Sequence, residues 1–147
     1  MRLVIQRVKY AKLEVENKTI SEINQGLLVF LGITHSDNFD IAKKYAQKAS
    51  KLRIFEDENG KINKSTNDIN GEFLVVSNFT LYGEATSNRP SFSNAAKGDV
   101  AEPIYDYFCE ELNKLVPTKK GVFGADTLDL SIPIPKALVA TMTSARS

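Results

Sequence analysis

The stretch Phe73-Leu74-Val75-Val76-Ser77-Asn78-Phe79-Thr80-Leu81-Tyr82 constrains the fold of this chain more than any other. Its first four residues are uniformly apolar, the pattern of a strand buried on both faces. It then gives way to Ser77, Asn78, Phe79 and Thr80, which put hydroxyls and an amide where a buried strand would continue with aliphatics. Two readings follow from the local pattern. Either Ser and Thr cap the next turn, or the strand end turns polar groups and backbone N–H donors into a pocket held on a rigid element.

The rest of the chain supplies partners for such a strand. Residues 2–15 alternate as a strand, with Leu3 and Ile5 on one side and Val4, Gln6 and Val8 on the other. Thr19–Ile23 returns as a short second strand after the polar turn Glu16-Asn17-Lys18, and Gly26–Ile33 reads as a central strand. A helix is expected from Phe39 to Leu52, capped by Asp37 or Asn38, with Ile41, Ala42, Tyr45, Ala46, Ala49 and Leu52 as its buried stripe. Arg53–Phe55 is a short strand, Lys61–Ile69 is polar and weakly structured, and Glu72–Tyr82 is the strand already described. Gly83–Lys97 is a long loop holding Arg89-Pro90-Ser91-Phe92. Asp99 and Glu102 resemble a capping box for a helix from Val100 to Leu115, its stripe being Val100, Ile104, Tyr107, Phe108, Glu111, Leu112 and Leu115. Gly121–Ala125, Leu128–Ile132 and Leu138–Met142 are expected strands. Strands outnumber helices and mostly meet at hairpin-length turns, so the expected class is antiparallel α+β in one domain, residues 1–147.

Bulk properties narrow the function. A chain of 147 residues with 42% hydrophobic and 25% charged residues suits one water-exposed globular domain. No apolar run approaches the roughly 18–20 residues of a membrane span, so no membrane partner is expected. The single cysteine, Cys109, excludes an intrachain disulfide and fits a reducing cytosol. A net charge of +1 means that any nucleic-acid surface must be local. Lys44, Lys48 and Lys51 repeat at helical spacing, which suits a solvated helix face as well as a cationic stripe. His35 is the only histidine and sits in a turn beside Ser36 and Asp37. With one His and one Cys, neither a side-chain triad away from His35 nor a zinc site of N and S ligands is available. No phosphate-binding Gly-Lys-Ser/Thr loop or Gly-x-Gly-x-x-Gly is present.

Ser77-Asn78-Phe79-Thr80-Leu81 resembles the Ser-Gln-Phe-Thr-Leu signature of the D-aminoacyl-tRNA deacylases. The resemblance continues in Met1–Val8, Gly26–Gly32, Leu52–Asp57, Arg89–Phe92 and Gly121–Ala125, in order and spacing. It implies a homodimeric cytosolic enzyme that clears D-amino acids, and misloaded glycine, from tRNA. It also implies strongly curved antiparallel sheets forming a partly closed barrel, two main helices outside, and sites at the subunit interface. No metal or organic cofactor and no DNA partner are expected. An aminoacyl ester is already activated and its ribose carries a vicinal hydroxyl, so the protein's task is orientation and backbone N–H donation to the developing oxyanion. By resemblance Ser77, Phe79 and Thr80 belong to the reaction centre, with Asn78 between them. Thr80 lacks a neighbouring base, which makes it a positioner of water or carbonyl rather than a nucleophile.

Phe123, between Gly121 and Gly124, suits a core ring between turn glycines or a stacking platform for a single-stranded RNA end. The resemblance assigns it to the adenosine pocket, with Gly124 and Ala125 as close backbone neighbours. Arg7 braces a cis Gly-Pro in the family, and that dipeptide enters the partner's site to exclude L-amino acids. Here an ungapped alignment puts Lys136-Ala137 at that place, and a two-residue slip puts Ile134-Pro135 there. Arg89 and the lysine stripe are expected tRNA contacts. Two rivals follow from these departures: a catalytically altered relative that binds tRNA 3′ ends, and a deacylase without chiral selectivity. A small-molecule serine hydrolase built on His35 is a third.

Overall fold

The computed structural model describes residues 1–124, 129–131 and 139–143. Strand β1 (Arg2–Val8) pairs antiparallel with β4 (Gly26–Gly32) and with β10 (Val139–Thr143). Strand β7 (Glu72–Ser77) lies parallel to β4, and β8 (Thr118–Lys120) lies parallel to β7, giving the order β10-β1-β4-β7-β8. A second sheet has the order β3 (Lys18–Ile23), β2 (Ala11–Val15), β9 (Asp129–Ser131). Strands β5 (Phe55–Glu56) and β6 (Ile62–Lys64) form a small ribbon.

The expected α+β class holds, but the main sheet is mixed rather than antiparallel. The connection from β4 to β7 contains helix α1 (Phe39–Ser50), and the one from β7 to β8 contains helix α2 (Gly98–Asn113). Parallel neighbours require crossovers of this kind, because a tight hairpin can only reverse the chain. The sequence signal was the unbroken apolar character of β4 and β7, which marks strands covered on both faces. Among the described residues no sheet closes on itself, and the expected partly closed barrel is not borne out by them.

Alternate residues of the central strands feed two cores. Leu27, Val29, Leu31, Phe73 and Val75 pack under the helices, with Ala42, Ala46, Ala49, Ile104, Tyr105 and Phe108. Leu28, Leu74 and Val76 face the β2–β3 sheet and meet Val8, Ala11, Leu13 and Ile23. A one-residue slip of β7 would exchange these two sets, so the register is firmly specified.

Local differences from expectation have local causes. The strand over residues 2–15 breaks at exposed Lys9 and Tyr10 into β1 and β2, which lie in different sheets. Asn38, not Asp37, caps α1: its Oδ1 accepts from the Ile41 N–H at 2.9 Å. Asp37 instead accepts from the Met1 amino group and the Thr34 N–H, both at 2.8 Å. Helix α2 starts two residues early, at Gly98, without a side-chain cap from Lys97. Its buried face runs through Ala101, Ile104, Tyr105, Phe108, Cys109, Glu111 and Leu112, set by what packs against it, and leaves Val100 and Leu115 exposed. Residues 121–124 are not a strand; the strand is the preceding Thr118–Lys120, an edge strand too polar to stand out in sequence.

Candidate functional site

Strands β4, β7 and β8 all run the same way, so their carboxyl ends lie together. Crevices outside the carboxyl ends of parallel strands are recurrent ligand sites, because the chain leaves regular pairing there and its amides become available. A cavity of about 520 Å³ lies at this place. Ser77 and Asn78 enter it from the end of β7, Phe79 from the turn beyond, and Val122, Phe123 and Gly124 from the segment after β8. Leu13, Phe30, Ile33, Val76, Ala96, Gly98 and Ala101 complete the wall. Among the described residues that line it, none carries an ionisable side chain.

The strand expected to run to Tyr82 ends at Ser77, and Phe79–Tyr82 forms a 3₁₀ turn. The backbone N–H groups at this break are unequally used. Asn78 donates to the Leu31 carbonyl at 2.9 Å, and Thr80 donates to the Asn78 side chain at 3.1 Å. The Phe79 N–H has no partner among the described residues. Phe79 is 58% exposed and its ring meets Phe92 edge-on at 5.3 Å, so the loop bearing Arg89-Pro90-Ser91-Phe92 packs against the turn. That loop is held by reciprocal backbone bonds between Glu84 and Ser91, both 2.8 Å, and by the Ala96 N–H on the Ile33 carbonyl at 2.9 Å.

The opposite wall is anchored through Tyr105. Its hydroxyl donates to the Val75 carbonyl at 2.7 Å and accepts from the Gly121 N–H at 3.1 Å. Burial pushes this phenol well above its usual range, so it stays a neutral donor. The Tyr105 ring packs at 5.8 Å from that of Phe123, which is half-buried between this support and the cavity. Gly124 follows with φ of +73°, a left-handed conformation that a side chain would strain. Gly32 is required for another reason. A Cβ there would stand 2.9 Å from Leu81 Cβ, pushing the 3₁₀ turn away from β4.

The structure therefore brings Ser77, Asn78, Phe79, Phe123 and Gly124 to one cavity. Thr80 is exposed beside it and does not line it; its hydroxyl donates to Asn78 Oδ1 at 2.5 Å. Arg7 lies elsewhere, at a second depression of about 490 Å³ with Lys9, Gln25, Phe55 and Glu56, and donates to the Ile54 carbonyl at 2.9 Å. Lys44, Lys48 and Lys51 are exposed on α1, opposite its buried stripe, and form no ion pair among the described residues. Arg89 is exposed in its loop. His35 is likewise exposed, its Nε2–H donating to the Ser93 carbonyl at 2.6 Å, and it does not line the cavity. Ala125 and the segment Ile134–Ala137, with its expected dipeptide, lie outside the described residues. Among the described residues no three of His, Cys, Asp and Glu cluster as metal ligands.

Sequence reasoning missed the aliphatic wall. Leu13, Phe30, Ala96 and Ala101 come from two strands, a loop and a helix, and nothing local marks them as site residues. The detectable signal was indirect: Phe30 belongs to a strand read as central, and every central strand end is a candidate rim.

A family model described as D-Tyr-tRNA(Tyr) deacylase matches residues 4–131. A D-aminoacyl-tRNA deacylase of Fusobacterium nucleatum is 53% identical over 128 residues, covering 86% of this chain and 85% of its own. One from Thermosipho africanus is also 53% identical, over 129 residues and 85% of each chain. Among solved structures, one described as c-Myc DNA unwinding element binding protein superposes with a TM-score of 0.92 at 36% identity, covering 99% of this chain and 100% of its own. A probable eukaryotic D-amino acid tRNA deacylase shares the fold at a TM-score of 0.79 and 16% identity, covering 96% of this chain and 98% of its own. With a matching family model across most of its length and relatives this similar, the chain belongs to the D-Tyr-tRNA(Tyr) deacylase family.

Proposed function

We propose that this chain hydrolyses the ester joining a D-amino acid to the terminal ribose of tRNA, releasing free amino acid and tRNA. The observation that carries this reading is a cavity that, among the described residues, has no ionisable lining side chain and is rimmed by an unpartnered backbone donor at Phe79 and an aromatic ring at Phe123. The adenine of the tRNA end stacks on Phe123, with Gly124 and Ala125 as backbone neighbours. The ester carbonyl then faces the turn after β7, where the Phe79 N–H stabilises the oxyanion that develops as water adds. Ser77, Asn78 and Thr80 orient the reacting groups. Burial in an apolar wall strengthens each such dipole, and the activated ester needs no stronger base.

The active form in this reading is a homodimer in the cytosol, formed by one domain spanning residues 1–147. Arg7 acts through the subunit contact, and Lys44, Lys48, Lys51 and Arg89 meet the RNA backbone. Among the described residues no helix is long and apolar enough to cross a membrane.

The test is release of radiolabelled amino acid from matched D- and L-aminoacyl-tRNA by the purified protein. Preferential release from the D-substrate supports the reading. Equal release from both supports a deacylase without chiral selectivity, and binding without release supports the inactive relative. Activity that survives chelation fits a reaction without a metal, whereas its abolition contradicts that part.

A further inference from the structure

Asn78 opens the 3₁₀ turn, and its side chain is committed to that turn. Oδ1 accepts from both the N–H and the hydroxyl of Thr80, at 3.1 and 2.5 Å. The carboxamide of asparagine reaches an amide two residues on, closing an Asx turn. Glutamine carries one more methylene and closes this ring less readily. The lock is thus a property of this chain's asparagine, at a position where the resemblance gives glutamine.

The lock has two chemical consequences. Because the Thr80 O–H donates to Asn78, Oγ1 presents only lone pairs to any further partner. Thr80 then accepts a hydrogen bond but does not supply one to an oxyanion. With the Asn78 amide on the Leu31 carbonyl and the Thr80 amide on Oδ1, Phe79 carries the amide without a partner at the cavity rim among the described residues.

We propose that Asn78 is a positioning residue of the reaction proposed above: by holding both donors of Thr80 it leaves the Phe79 N–H for the ester carbonyl and Thr80 Oγ1 as an acceptor for the attacking water. This rests on the deacylase reading. Water oxygen bonds to the carbonyl carbon and the bond from that carbon to the ribose oxygen breaks. One water proton passes to the ribose oxygen; the amino acid leaves as a carboxylate, releasing the other. Asn78 touches none of these atoms, and its effect is exerted through Thr80 and the turn.

The experiment compares wild type, Asn78→Ala, Asn78→Ser and Thr80→Ala in single-turnover and steady-state deacylation of D-aminoacyl-tRNA. Amide hydrogen exchange at position 80 is followed by NMR in each. Asn78→Ala is expected to lose about tenfold in kcat with KM changed less than about twofold, since the hydrogen bonds it removes serve the transition state. Asn78→Ser recovers part of the loss because its hydroxyl still accepts from the amide at position 80. Thr80→Ala keeps the amide on Asn78 but removes the acceptor for the attacking water, so it loses kcat as well. Exchange at position 80 is slow in wild type and Thr80→Ala and fast in Asn78→Ala. Unchanged exchange in Asn78→Ala, or an Asn78→Ala rate within about twofold of wild type, overturns the proposal. If Asn78→Ala does not fold, Asn78→Ser decides: a wild-type rate despite faster exchange at position 80 overturns the proposal. Wild-type protein that binds but releases nothing defeats the deacylase reading itself, and the exchange rates still judge the lock.

Discussion

Phe123 and Gly124 form the wall facing the turn after β7, and each makes a separable contribution. Base–aromatic stacking is worth about 1–3 kcal/mol, so Phe123→Ala should raise KM for aminoacyl-tRNA by roughly 5- to 150-fold with a smaller change in kcat. Phe123→Tyr keeps the π-face and should stay near wild type; steady-state kinetics on the same substrate check both. Gly124 occupies φ of +73° with open space around it, so Gly124→Ala tests backbone strain without a steric clash. A loss of about 1 kcal/mol in urea unfolding is expected there, the ordinary cost of left-handed backbone for an L-residue. The spacing of Phe123 between glycines suited a core ring as well as a stacking platform, and the resemblance pointed to the second; the structure sets the ring half-buried at the cavity. The Thr80 hydroxyl's bond to Asn78 was not legible, because it depends on where the strand stops. The aliphatic wall was illegible for a plainer reason: Leu13 and Ala101 look the same in a core as at a cavity.

At the scale of elements, the 3₁₀ turn Phe79–Tyr82 is held from outside as well as by its own cap. The Arg2 guanidinium donates to the Leu81 carbonyl at 2.7 Å and lies 4.6 Å above the Tyr82 ring. Strand β1 thereby grips the far end of the turn that Asn78 opens. Arg2→Met should cost about 2 kcal/mol, combining a charge-assisted hydrogen bond with a cation–π contact. It should also lower kcat by several-fold, with Arg2→Lys intermediate because a lysine supplies charge without the planar fork. Urea melts and initial rates on the same samples measure both effects. Nothing in the sequence pairs Arg2 with Leu81, since the contact spans 79 positions. The elements themselves were mostly readable. Strands β4 and β7 declared themselves by unbroken apolar runs, whereas the break after Val8 and the early start of α2 depend on tertiary packing. The same runs also pointed to parallel pairing, but counting strands against helices favoured hairpins, and the crossover role of the two helices emerged only with the topology.

For the molecule as a whole, the two-core arrangement leaves one titration to watch. Cys109 lies on the buried face of α2, and burial pushes its thiol up to about 12 from an ordinary value near 9. The unfolded thiol therefore loses its proton first as pH rises, so this contribution is intact below about pH 9 and is lost progressively toward pH 12. Unfolding midpoints should fall over that window, and Cys109→Ala should flatten the decline; a fall of the same slope in the variant would contradict the assignment. Below pH 9 the neutral, buried thiol should resist alkylation until the chain unfolds.

The central claim concerns a single main-chain donor, the Phe79 N–H at the mouth of the cavity. Replacing Phe79 by its α-hydroxy acid analogue through nonsense suppression keeps the ring and exchanges that N–H for an ester oxygen. Single-turnover hydrolysis of D-aminoacyl-tRNA by this protein is the most direct measurement. Loss of one oxyanion donor predicts a rate about 10²–10³-fold lower with substrate binding retained. A rate within about twofold of wild type would show that the ester is cleaved without this donor and would contradict the account.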